Sequence, residues 1–257
     1  MATLIPETLP DNASEGEKAV GAQLRGLPED VLAYYEPLIR RRFPDFVIVA
    51  PSIGAIVIEV KGIPLSWIFQ ADLQTIKFRQ AGQEQEILHP ARQAREYQNR
   101  LMKECSGHPF RDELHTGKHF RFAFGHLVIL TAITRGELDA SPWADLFPPH
   151  AAICKDELEA LAGDSAAWMK ALRGCIDPDI PVKPLSERQV ALVRSILHPE
   201  TLILPGLTLP MASAPVPDLK LLDFQQEAAA RSMGGGHRII YGVPGSGKTL
   251  ILIARAK

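Results

Sequence analysis

The sequence predicts an α/β fold built around a sheet that is buried on both faces. Three observations point to it. The stretch PDFVIVAPSIGAIVIEVKG, Pro44 to Gly62, reads as two strands around a turn, Phe46 to Val49 and Ala55 to Val60, and both are apolar at nearly every position. A strand with one wet face alternates apolar and polar residues, whereas a continuous apolar run marks a strand covered on both sides. Helical periodicity flanks this hairpin, and the order along the chain reads helix, hairpin, helix, strand, strand, helix.

The elements follow in order. Residues 1–13 show no periodicity and are expected as an N-terminal tail. From Ser14 to Leu27 the residues Glu17, Val20, Gly21 and Leu24 recur at i, i+3, i+4 and i+7, one face of a helix. After the hairpin, EILHPARQAREYQNRLMKEC reads as a helix opened by Pro90, tolerated in a first turn because no internal amide bond is lost there. HFRFAFGHLVILTAIT and HAAICK read as strands, and DELEALAGDSAAWMKALRG as a helix, closing a domain over residues 14–175. Prolines then recur through residues 176–219, a linker interrupted by the helical piece SERQVALVRSIL, whose Ser186 and Gln189 have capping-box spacing. Residues 220–257 form a separate C-terminal segment.

Composition sets bounds. A chain of 257 residues with 46% hydrophobic and 23% charged residues buries a real core, and a formal charge of −2 argues against a globally basic nucleic-acid coat while allowing a local basic groove. No stretch approaches the roughly 18 apolar residues of a membrane span, and no signal-peptide pattern opens the chain, so a cytoplasmic location and no membrane partner are expected. Cys105, Cys154 and Cys175 are an odd number at wide spacing and fit reduced thiols. The group Cys105, His108, His115 and His119 has metal-ligating residue types but no closed four-ligand spacing, and reads as a polar loop before a strand.

Charges sit where the buried hairpin ends. A buried carboxylate or ammonium costs several kcal/mol unless paired with another charge or a metal. If the hairpin loop has an odd number of residues, Pro51–Ile53 or Ser52–Gly54, then Asp45, Glu59 and Lys61 project from one face at one sheet end. Two carboxylates beside a lysine are the minimum needed to hold a hard divalent cation and orient a water. An even-length loop puts Asp45 on the opposite face.

Near the C-terminus, GVPGSGKT, Gly242 to Thr249, matches the phosphate-loop pattern and follows the apolar HRIIY. In that pattern Gly242, Gly245, Ser246 and Gly247 let backbone amides cradle phosphates, Lys248 reaches the β and γ phosphates of ATP, and Thr249 holds Mg²⁺. The upstream LLDFQQEAAARSM resembles the glutamine-containing segment of superfamily 1 helicases, with Gln225 or Gln226 reading adenine; the L-D-x-x-Q pattern and the spacing favour Gln226, and Q-x-E-A favours Gln225. A motor also needs a second acidic strand, arginines and a second lobe, which do not fit in the eight residues after Thr249. The expectation is a helicase portion without ATP turnover of its own, partnered by the remaining helicase lobes or a second copy.

The pattern PD followed by EVK across a hairpin resembles the PD-(D/E)XK nuclease superfamily and, within it, the nuclease-related domain NERD. Gly16-Glu17 in SEGEKAV resembles that family's G-E helix, and HPARQ resembles its N-P-x-x-Q helix, with His89 in place of asparagine and Gln93 retained. The resemblance implies a central mixed sheet flanked by helices, as in restriction endonucleases, and a fusion to a UvrD-like helicase. It also implies that Asp45 and Glu59 bind Mg²⁺ or Mn²⁺ with the Val60 carbonyl, that Lys61 assists the attacking water, that Glu17 adds a metal contact or a hydrogen bond behind it, and that Gln93 braces the lysine or a phosphate oxygen. Glu17 has a second reading, since it stands three residues after Ser14 and closes a capping box.

Three functions compete: a metal-dependent nuclease acting on DNA, a degenerate nuclease fold that binds nucleic acid or regulates a motor, and a nucleotide-binding protein with an interaction platform. The intact Asp45, Glu59 and Lys61 favour the first.

Overall fold

The computed structural model describes residues 1–198 except 118 and 181. Residues 1–190 form one compact unit. In chain order the elements are β1 (Thr3–Ile5), α1 (Glu15–Leu24), β2 (Leu32–Tyr35), β3 (Phe46–Ala50), β4 (Gly54–Lys61), β5 (Ile68–Ala71), β6 (Thr75–Gln80), β7 (Gln83–Leu88), α2 (Pro90–Gly107), α3 (Arg111–Leu114), β8 (His115–Thr116), β9 (His119–Phe120), β10 (Ala123–Leu130), α4 (Arg135–Asp139), β11 (Ala152–Cys154), α5 (Lys155–Ala160), α6 (Ser165–Gly174) and α7 (Glu187–Leu197).

The central sheet is mixed, in the order β1-β2-β3-β4-β10-β11. β2, β3 and β4 pair antiparallel, whereas β10 runs parallel to β4 and β11 parallel to β10. All of β3 and all of β4 except Lys61 are buried, as two-sided covering requires. Ile56, Ile58 and Val60 join Val20 and Leu24 of α1 and Trp168 and Leu172 of α6 in one core layer. Alternation turns Glu59 to the opposite face, where α2 packs on β4 and β10. On that side a second layer joins Ile76 and Phe78 of β6 to Val128, Leu130 and Phe147.

The hairpin register pairs Phe46 with Ile58 and Ala50 with Gly54, so the loop is Pro51–Ile53, the first of the two odd-length options. Gly54 is required where it stands. Its φ is +144°, and a Cβ there would lie 2.1 Å from the Ala123 carbonyl oxygen of β10.

Several expectations are corrected. Residues 1–13 are more than a tail, because Thr3–Ile5 pairs parallel with β2 and Leu4 is buried. Residues 68–88 fold into a three-stranded antiparallel sheet, β5-β6-β7, not anticipated from the sequence. The helix expected over DELEALAGDSAAWMKALRG is two, broken at Gly163 (φ 77°), after which the Asp164 side chain accepts from Ala167 N at 2.9 Å and starts α6. The polar loop around Cys105 to His119 is instead the end of α2, α3 and the β8–β9 pair. The linker helix is present as α7, with Ser186 and Gln189 exchanging the two capping-box hydrogen bonds.

Candidate active site

Continuing the hairpin register by one position sets Asp45 opposite Glu59, at the sheet end where β4 finishes in Lys61. Asp45 Oδ2 accepts a 2.6 Å hydrogen bond from Val60 N, which fixes its carboxylate across the strand end. Lys61 Nζ lies 2.6 Å from Glu59 Oε1, 3.7 Å from Asp45 Oδ2 and 3.1 Å from the Val60 carbonyl oxygen. The ammonium therefore sits among oxygen atoms of the three residues expected to hold a metal. Because both carboxylates reach one nitrogen, they are close enough to share one cation.

α2 supplies the next contact. Pro90 opens the helix, and His89 caps it, its Nδ1 accepting from Ala91 N at 3.3 Å while the ring stacks on Phe147 at 4.7 Å. Burial holds the His89 pKa below its ordinary value, which keeps the ring neutral and able to accept. The histidine thus does the capping work of an asparagine and adds apolar packing. One turn in, Gln93 Nε2 donates to Glu59 Oε1 at 2.5 Å and to the Tyr97 hydroxyl at 3.1 Å. The glutamine braces the glutamate rather than the lysine.

Glu17 approaches from the α1 layer. Its Oε2 accepts from Ser14 N at 2.8 Å while Glu17 N donates to Ser14 Oγ, so the capping box is real. The same oxygen accepts from the Tyr35 hydroxyl at 3.1 Å. Gly16 permits this approach, since a Cβ there would meet Thr131 Oγ1 at 2.6 Å, and Thr131 N donates to the Lys61 carbonyl. Among the described residues Glu17 forms no ion pair with Lys61 and no hydrogen bond with Asp45 or Glu59; its hydrogen bonds are those of the α1 capping box and of the Tyr35 hydroxyl. Tyr35 and Tyr97 were missed as site residues. Tyr97 stands one turn after Gln93 on the same helix face, a signal visible in the sequence; Tyr35 is placed by the β2–β3 register, which is not.

Burial dominates the electrostatics. Glu59 is fully buried, and burial together with Asp45 pushes its carboxyl up to about 7. Burial also raises Asp45, against the opposing pull of Lys61 and the Val60 amide. For Lys61, burial pulls down, but Asp45 and Glu59 outweigh it and the ammonium is held above its ordinary range.

No three His, Cys, Asp or Glu side chains converge as a ready cluster among the described residues. The donor set still fits a hard divalent cation: two carboxylates, one backbone carbonyl, and Glu59 Oε2, buried and without a hydrogen-bond partner. Elsewhere, burial pushes the Cys105 thiol up to about 12, away from the thiolate form that ligates metals. Trp168 packs in the core and donates to Gln23 Oε1 at 3.0 Å. Gly242, Gly245, Ser246, Gly247, Lys248, Thr249, Gln225 and Gln226 lie outside the described residues.

Residues 12–130 match the family model NERD, the nuclease-related domain. The match runs from just ahead of α1 to the last residue of β10 and spans Glu17, Asp45, Glu59, Val60, Lys61 and Gln93. Over that range the chain is similar to nuclease-related domains. No curated protein and no solved structure matches the chain. No helix among the described residues is long and apolar enough to cross a membrane.

Proposed function

We propose that the nuclease-related domain hydrolyses phosphodiester bonds in DNA with Mg²⁺ or Mn²⁺ held by Asp45, Glu59 and the Val60 carbonyl. The observation that carries this reading is the convergence of Asp45, Glu59 and Lys61 within 4 Å of one point at a sheet end, with one buried glutamate oxygen left over. A divalent cation supplies Lewis-acid polarisation of the phosphate and lowers the pKa of a bound water. The chain's own residues do the rest. Lys61 orients the attacking water and stabilises negative charge developing on the phosphate. Gln93, held by Tyr97, fixes the Glu59 oxygen that faces the lysine. The Tyr35 hydroxyl holds the Glu17 carboxylate.

A second reading has one observation in its favour: the Lys61 ammonium already neutralises both carboxylates, as in a structural ion pair. On that reading the fold only binds nucleic acid. A titration of Mg²⁺ and Mn²⁺ against plasmid and oligonucleotide substrates separates the two. Lys61→Ala is expected to lower cleavage at least about 100-fold while DNA affinity and the circular dichroism spectrum stay as in the parent. Cleavage at the parental rate in that variant removes the lysine from the mechanism.

For the C-terminal segment we propose nucleotide binding at Gly242–Thr249, with Gln226 at the adenine, in the manner of a superfamily 1 helicase. The sequence pattern alone supports it.

A further inference from the structure

The β2–β3 connection is longer than a turn requires. Glu36 N donates to the Asp45 carbonyl at 3.0 Å, closing the base of an excursion that begins and ends beside the candidate site. Near its tip Ile39 and Arg42 form an antiparallel bridge, N to O at 2.8 and 3.0 Å in the two directions, with Arg40 and Arg41 at the two central positions. Their φ values are +48° and +63°. A two-residue turn of this hand needs positive φ at both centres, which is why Asn-Gly or Gly-Gly usually fills them. Two arginines there are strained, and strain that persists at the rim of a site is a sign of use.

Arg40, Arg41 and Arg42 are all exposed. Arg40 pairs with Glu104 of α2, whereas Arg41 and Arg42 form no ion pair among the described residues. Gln93, Tyr97 and Glu104 stand at i, i+4 and i+11, one face of α2, so this pairing lays the turn along the helix face that delivers Gln93 to Glu59. Glu104 is about 16 Å along the axis from Gln93 at 1.5 Å per residue. Duplex phosphates recur about every 3.4 Å along one strand. The turn therefore stands a few nucleotides from the carboxylates. In a chain of formal charge −2, three consecutive exposed arginines are a local feature and not a sample of a basic surface.

We propose that the turn Arg40–Arg42 grips the phosphate backbone of DNA beside the cleavage site, with Arg40 anchoring the turn to α2 and Arg41 and Arg42 contacting phosphates. The inference rests on the nuclease reading and gives that site its substrate-positioning residues. The planar guanidinium fork suits phosphate oxygens, and such contacts fix register on the strand without reading bases.

The test measures DNA binding by the full chain without divalent metal, using fluorescence anisotropy of labelled duplex and single-stranded oligonucleotides across a salt series. Arg41→Gly is informative because glycine relieves the positive φ: the thermal midpoint is expected to hold or rise while Kd weakens about three- to tenfold. Arg41→Gly with Arg42→Gln is expected to weaken Kd at least about tenfold and to flatten the plot of log K against log salt by about one unit per arginine lost. Arg42→Lys is expected to keep the parental salt slope. Parental Kd and slope in the double variant, or no DNA binding by the parent, overturn the inference. A parent that binds through the turn but never cleaves with Mg²⁺ or Mn²⁺ defeats the nuclease reading alone; one that cleaves while the variants bind normally defeats the turn alone.

Discussion

Glu59 shows how one residue ties burial to function. Its carboxyl sits at about 7 in the folded chain against an ordinary 4.5. Between those values the unfolded chain has released a proton that the folded chain keeps, so stability without metal falls as pH rises, by up to about 1.4 kcal/mol per pH unit for one proton. The raised Asp45 acts with the same sign. Urea unfolding in EDTA between pH 4.5 and 7.5 is expected to show this fall, and Glu59→Gln to remove most of it. Stability rising across that window would mean the carboxylate is better solvated than its burial implies. The ionised pair is also the form that holds a cation, so protons compete with the metal and cation affinity is expected to weaken as pH falls. Asp45, Glu59 and Lys61 were legible in the sequence because their chemistry is written in local spacing across one hairpin. Tyr35 was not, because its partner Glu17 lies 18 residues away and the two meet only once α1 docks on the sheet.

At the scale of elements, the hairpin was readable and the small sheet was not, for one physical reason. β3 and β4 are buried on both faces and so appear as uninterrupted apolar runs. β6 is only half buried, with Ile76 and Phe78 inside and Arg79 and Gln80 out, and β7 is exposed at every position but Ile87. Such strands differ little in composition from loop. The signal present was the alternation itself, around the Ala81-Gly82 turn with φ of 50° and 80°. The hairpin's register depends on Gly54, where strand pairing with Ala50 and close approach to Ala123 coincide. Gly54→Ala is expected to lower stability by about 2–4 kcal/mol, because it adds both a strained φ and a backbone clash that no side chain can relieve. Guanidinium unfolding checks this, and cleavage should fall with the fold, since a register slip would carry Asp45 away from Glu59.

For the whole molecule, the question is whether the two chemistries written in the chain depend on each other. Every residue of the candidate nuclease site lies between Glu17 and Tyr97, inside the matched range 12–130 and inside the compact unit that ends at Val190. The hydrogen bonds that position those residues also begin and end there. The phosphate-loop pattern at Gly242–Thr249 lies far outside that range of the sequence. Catalysis by positioned groups needs only that those groups be held in place, and here the holding contacts come from α1, β2, β3, β4 and α2. Metal-dependent cleavage is therefore expected to need no nucleotide. Lys248→Ala should cut within about twofold of the parental rate, with or without ATP, because a change that leaves the reacting groups untouched leaves the barrier unchanged. A gel assay of both proteins on the same labelled substrate decides it. An ATP-dependent rise of about tenfold, about 1.4 kcal/mol of barrier, that vanishes in Lys248→Ala would show that the phosphate loop feeds back on the carboxylates.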